Sequence, residues 1–140
     1  MGKFSKCIKV GENAFSDSSL TFIYLPECIE IDTEAFSNTK ILFLDLPKCR
    51  IIKSYAFHNC IYLTKLNLLE CEKLEDSIFD HLQHLGCLKE ITINENCEFD
   101  DNTFADLPLD CIVYNQYRTK IYDREKKKWR LNRLRKRGKK

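Results

Sequence analysis

Apolar residues return along this chain at a nearly fixed interval. Phe15, Phe36, Phe57, Phe79 and Phe104 mark the period, with the longest gap before the last of them. Each is followed by a second apolar group at a matching offset: Leu20, Ile23 and Leu25; Ile41, Leu44 and Leu46; Leu63, Leu66 and Leu68; Leu88, Ile91 and Ile93; Leu109, Ile112 and Tyr114. The unit is L-x-x-L-x-L, whose last positions alternate as a strand with one buried face requires. A period of this length predicts a solenoid, in which each repeat is one turn and buries its apolar residues against the next. Strands are expected near 22–25, 43–46, 65–68, 90–93 and 111–114, with the five phenylalanines stacked as a spine on the side away from those strands.

A cysteine follows three residues after the strand: Cys28, Cys49 and Cys71, with Cys97 one residue late and Cys7 at the same place in a partial first turn. Three residues further on stands Val10, Ile31, Ile52 or Leu74, and then a short stretch ending in Ala14-Phe15, Ala35-Phe36 or Ala56-Phe57. A turn that bends inward leaves backbone carbonyls in need of donors, and a thiol is a small, weak one. Stacked parallel side chains point the same way, which suits neither a disulfide nor four converging zinc ligands. The ladder cysteines are therefore expected to be buried, unpaired core thiols. Cys60, Cys87 and Cys111 lie off the ladder, with Cys60 also expected in the core.

At these residues the chain resembles the BspA-like (Treponema-type) leucine-rich repeats, whose turns read roughly L-x-x-I-x-L-P … I-G-x-x-A-F-x-x-C. "VGENAF", "LPEC", "LPKC" and "AFHNC" carry the match over about residues 3–117. Turn four, "IFDHLQHLGCLKEITINENCEF", departs by insertion and lacks the proline. The resemblance implies a leucine-rich repeat solenoid: an α/β-type right-handed horseshoe with short parallel strands on its concave side and little regular helix. It implies a binding module, often of microbial or protist surface proteins, and no catalytic residue.

If L-x-x-L-x-L faces inward, the intervening positions face solvent on the concave sheet. Phe22, Tyr24 and Phe43 then cluster on the first two turns, and Asp45, Lys65, Asn67, Glu90 and Thr92 continue the surface in polar form. Contiguous exposed aromatics mark partner sites; the competing reading is that flanking loops cover them, or that they serve cross-strand pairing. The concave face is the expected protein-binding site. The N-terminal turn begins midway, with Phe4 in the place of Leu25, and an uncapped end of this kind is open to self-association.

Charge divides the chain. Residues 1–117 carry 10 Lys and Arg against 19 Asp and Glu, whereas residues 118–140 carry 13 against 2, within a net charge of +2. An acidic solenoid of about five turns (1–117) and a basic C-terminal tail (118–140) are thus expected. The tail carries Lys126, Lys127, Lys128, Arg130, Arg133, Arg135, Lys136 and Arg137. Its helix propensity from about Asp123 to Arg137 suggests a partly helical or disordered extension. Nuclear import or nucleic-acid contact, and docking on an anionic membrane with Trp129 at the interface, are the alternatives.

No apolar run approaches the roughly 20 residues of a membrane span, and "MGKFSKCIKV" lacks the pattern of a signal peptide. A cytoplasmic location is expected, with the nucleus as the alternative raised by the tail; a surface location rests on the family resemblance alone. His81 and His84, three apart beside Asp80, have the residue types of a metal site, but His58 belongs to the preceding turn and a solvated convex face is the better reading. No glycine-rich phosphate loop and no nucleophile with an arranged base occurs. No catalytic residue, metal or cofactor is expected.

Overall fold

In a computed structural model the chain is described from residue 4 to residue 133. It is a β-solenoid of about five coils with almost no helix. Ten short strands occur in chain order: β1 (Lys9–Val10), β2 (Glu30–Ile31), β3 (Phe43–Asp45), β4 (Ile51–Ile52), β5 (Lys65–Leu68), β6 (Lys73–Leu74), β7 (Glu90–Ile93), β8 (Ile112–Asn115), β9 (Lys120–Asp123) and β10 (Lys128–Leu131). They form two sheets. The smaller is all parallel, in the order β1-β2-β4-β6; the larger runs β10-β9-β8-β7-β5-β3 and is parallel from β3 to β8.

The apolar periodicity explains both sheets. Leu44, Leu66 and Ile91 occupy one register column and Leu68 and Ile93 another, all buried. Val10, Ile31, Ile52 and Leu74, the apolar residues three past each ladder cysteine, supply the buried side of the smaller sheet. The phenylalanine spine runs along the third side of each coil, which carries no strand. Phe36 and Phe57 are completely buried, and successive rings from Phe15 to Phe104 stack at centroid distances of 5.4, 5.9, 6.2 and 6.2 Å with interplanar angles of 14° to 23°. Offset stacking at such distances adds to the area each ring buries. Phe4 meets the first ring edge-on at 5.8 Å.

The third side of each coil uses no regular strand. In residues 12–17 the amides of Asn13, Phe15 and Asp17 donate to Thr33, Ala35 and Ser37 of the next coil, whereas those of Ala14, Ser16 and Ser18 donate three residues back within their own coil. Two residues per turn adopt left-handed backbone: Asn13 and Asp17, Glu34 and Asn38, Tyr55 and Asn59, Ser77 and His81. None is glycine. Short polar side chains lower the cost of that conformation, and along one column they also bond to each other: Asn38 Nδ2 donates to Asp17 Oδ1 at 2.9 Å, and Asn59 Nδ2 to Asn38 Oδ1 at 2.8 Å.

Three expectations need correction. Residues 22–25 are not a strand: pairing between the first two coils consists of Lys40 and Leu42 amides bonded to Leu20 and Thr21 carbonyls, and it ends before the strand positions. In the last coil the phase is shifted by one residue. Val113 and Asn115 are buried, aligned with Ile91 and Ile93, while Ile112 and Tyr114 are half-buried and Leu109 is exposed. A one-residue slip exchanges the faces of a strand, and the inward Asn115 is satisfied: its Oδ1 accepts from the amides of Thr119 and Lys120, and its Nδ2 donates to Thr119 Oγ1 and Glu95 Oε1.

The third concerns the basic segment, where propensity points to a helix from about Asp123. Residues 120–131 instead form an antiparallel hairpin on β8. Asp123 makes the turn, its Oδ1 accepting from the amides of Glu125 and Lys126, and Lys127 takes the left-handed position. Tyr122 then packs against Phe104 at 5.5 Å and Trp129 against Tyr122 at 5.5 Å, closing the spine. Tyr122 pairs with Trp129 on one face of the hairpin and Ile121 is buried on the other, and this alternation outweighs the modest helix propensity of lysine and arginine.

Truncating one buried ring should remove a filled layer between two coils. Phe57→Ala is expected to lower the unfolding free energy by roughly 3–5 kcal/mol, measured by urea denaturation; a loss below about 1 kcal/mol would mean that the ring is not part of the core.

Candidate interaction surface

The outward face of the larger sheet, continued past its β3 edge by the coil that carries Phe22 and Tyr24, holds the residues expected to bind a partner. Phe22, Tyr24 and Phe43 are exposed by 38%, 51% and 47%, and Leu42 joins them at 50%. The Phe22 and Phe43 rings are 5.6 Å apart, one coil above the other. Flanking loops do not cover them. Asp45 and Lys65 are exposed and Asn67 is half-buried. Thr92, expected outward, is buried at 4% exposure; it is a short side chain between Asn67 and Tyr114, its register neighbours. Glu90 is tied to Arg118, whose guanidinium bonds its Oε1 at 3.2 Å and lies over the Tyr114 ring at 3.8 Å. The surface therefore has an apolar half on the first two coils and a polar, internally paired half beyond.

A second apolar strip lies outside the sequence expectations. Ile8 and Ile29 are exposed and, with Ser5, Lys6, Glu27 and Lys48, line a groove beside the smaller sheet. The signal is present in the residues before each Lys9- and Glu30-type position, but short strands with one-residue apolar flanks do not separate from core by periodicity.

The basic residues are divided by the hairpin. Lys126, Lys127 and Lys128 are exposed at its tip, and Arg130 and Arg133 are exposed beyond it. Lys127 Nζ donates to the Asp101 carbonyl at 2.9 Å, and Arg130 pairs with Asp123 at 3.7 Å. Arg124 donates to the carbonyls of Phe104, Pro108 and Leu109, and Lys120 to Glu95. Arg135, Lys136 and Arg137 lie outside the described residues.

The ladder thiols have a local task. Cys7, Cys28, Cys49 and Cys71 each donate to the carbonyl two residues on, at 3.3–3.5 Å, and Cys60 donates to the Phe36 carbonyl at 2.9 Å. All eight cysteines are free thiols; only Cys87 is exposed and Cys7 is half-buried. Burial pushes Cys28 up to about 11 and Cys111 up to about 12, and raises Cys49 and Cys60 as well. Cys97 and Cys71 are buried side by side, and the contact between them raises the first and lowers the second.

Among the described residues no helix is long and apolar enough to cross a membrane. The stacked coils, buried L-x-x-L-x-L columns and cysteine-bearing turns define a leucine-rich repeat protein. Residues 5–125 match the family model for the BspA type leucine-rich repeat region in six copies, and the chain belongs to that family. No curated protein and no solved structure gives a match. Repeats of this kind are in general interaction modules without catalytic activity.

Raised thiols make stability depend on alkaline pH. In the unfolded chain a cysteine ionises from the ordinary value of 9.0, whereas the folded state holds Cys28, Cys49, Cys60 and Cys111 protonated. Unfolding thus releases protons once the pH exceeds about 9, and stability declines as pH rises toward 10. Urea midpoints measured across that range should fall, with a shallower slope in Cys28→Ala. Folded protein at pH 7 should alkylate rapidly at Cys87. Cys28 and Cys49 should react slowly, because the thiolate is the reacting form, and Cys71 slowly because the core shields it from the reagent.

Proposed function

We propose that this chain is a non-enzymatic protein-interaction module that takes its partner on the outward face of the six-stranded sheet. The observation that supports this most is the exposed cluster of Phe22, Tyr24, Leu42 and Phe43. The repeat needs none of these side chains for its core, which is filled by Ile23, Leu25, Ile41 and Leu44. Aromatic rings on a rigid sheet cost little entropy on docking and make effective anchors. Asp45 and Lys65, exposed next to the apolar cluster, supply a polar rim that fixes orientation. A reading through the basic segment has less to stand on, since Lys120, Arg124 and Lys127 already bond to the body and Arg130 pairs with Asp123 within the hairpin. Among the described residues, Lys126, Lys128 and Arg133 are exposed charges that support it.

The test compares proteins captured by the immobilised full chain and by Phe22→Ser/Phe43→Ser, followed by titration of each captured protein against both forms. The double variant should fold within about 0.5 kcal/mol per site of the parent. Its affinity should drop by about 2 kcal/mol for each anchor ring. Unchanged affinity in this variant, with loss on Lys126→Glu/Lys128→Glu, would place binding on the hairpin tip instead. Deleting residues 118–140 is not a clean alternative, because it would strip β9 from β8 and Tyr122 from the end of the spine.

A further inference from the structure

Coil stacking brings together three side chains from two successive coils. His58 and Asp80 each follow a spine phenylalanine and so occupy the same position one coil apart, and His81 follows Asp80. His58 Nδ1 lies 3.0 Å from Asp80 Oδ2, and His81 Nε2 lies 3.7 Å from the same oxygen. The two imidazole rings are 4.8 Å apart, and one ligand atom from each of the three residues falls within 4.8 Å of the others. Four ligands at the usual zinc–nitrogen and zinc–oxygen distances are separated from each other by about 3.3 Å. The two contacts to Asp80 Oδ2, one shorter and one longer, bracket that spacing.

The repeat makes the cluster stand out. His81 occupies the left-handed column that holds Asp17, Asn38 and Asn59 in earlier coils, with φ of 69°. There the asparagines bond down the column to the preceding coil. A histidine keeps the backbone conformation but breaks the amide ladder, and its ring turns to Asp80 and His58. His58 and Asp80 are about one-quarter exposed and His81 is 65% exposed, so the group is open to solvent on one side and fixed on the other. The fixing is by backbone: the Asn59 amide donates to the Asp80 carbonyl at 3.0 Å and the Asn38 amide to the His58 carbonyl at 2.9 Å. A shallow pocket of about 310 Å³, lined by Asp80, His81, His84 and Asp106 among others, opens beside it.

We propose that His58, Asp80 and His81 form a binding site for a divalent transition metal of the zinc class. Two imidazoles and one carboxylate suit zinc rather than magnesium or calcium, which take oxygen ligands. Three protein ligands leave a coordination position facing the pocket, for water or a donor group of a bound partner. Because His58 lies on one coil and Asp80 with His81 on the next, the ion clips adjacent coils and stabilises the folded chain by its binding affinity.

The experiment is zinc titration of the full chain in a Cys87→Ser background, which removes the exposed thiol, followed by calorimetry and by the thermal midpoint. One equivalent of zinc should bind and raise the midpoint. The decisive variant is His81→Asn, which restores the residue type of the earlier coils and so preserves the left-handed turn. It should weaken zinc binding by about tenfold or more and abolish the midpoint shift, while the metal-free midpoint stays near that of the parent. Asp80→Asn should act in the same direction. Zinc affinity unchanged in His81→Asn, an equal response to magnesium, or no binding by the parent would each overturn the proposal.

Discussion

Each coil of this protein completes the hydrogen bonding of its neighbour, and the rest of the structure depends on that. Its very short strands and tight turns leave most backbone groups without a partner inside their own coil. Burial is tolerable only if those groups are paired. The turns solve this by alternation: Phe15, Phe36 and Phe57 amides donate to Ala35, Ala56 and Ile78 of the following coil, while the intervening amides close turns locally. The ring borne by each of these residues packs on the ring of the next coil. Backbone ladder and aromatic spine thus share one register, and a change in one would displace the other.

The same constraint assigns the cysteines their place. After β3 and β5, and at the matching places of the first two coils, the chain bends toward the smaller sheet, and the carbonyl two residues past the cysteine accepts its thiol. A thiol reaches it at 3.3–3.5 Å in the first four coils. The side chain is small enough to stack and apolar enough to bury. At the far end the problem is closing the array. Asn115 turns the chain, β9 reverses direction on β8, and Tyr122 with Trp129 terminates the spine.

Much of this was legible in the sequence because it repeats. The recurrence of Phe15, Phe36, Phe57, Phe79 and Phe104 marked the coils, and Leu44, Leu66 and Ile91 marked the inward phase. The outward Phe22, Tyr24 and Phe43 followed from that phase. What periodicity could not show was carried by residues that do not repeat. Val113 and Asn115 replace Ile112 and Tyr114 on the inside because Asn115 has a local bonding task that hydrophobicity does not reveal. The hairpin was hidden by its lysines and arginines, although Tyr122 and Trp129 were its apolar signal. The left-handed turns carry Glu34, Tyr55 and Ser77 as readily as Asn13, so no glycine marked them. His58 meets Asp80 only because the stacking sets one coil on the next, a proximity invisible to any local motif.

The central claim is that the turns are held by the coil that follows and not by their own contacts alone, and residue-resolved hydrogen exchange tests it most directly. The amides of Phe36, Asn38 and Phe57, which donate across coils, should exchange as slowly as those of Leu66 and Ile91 in the core strands and be released together on unfolding. If these amides exchange at the rate of an open chain while the strands stay protected, the coils are joined by their sheets alone and the account of the turns is wrong.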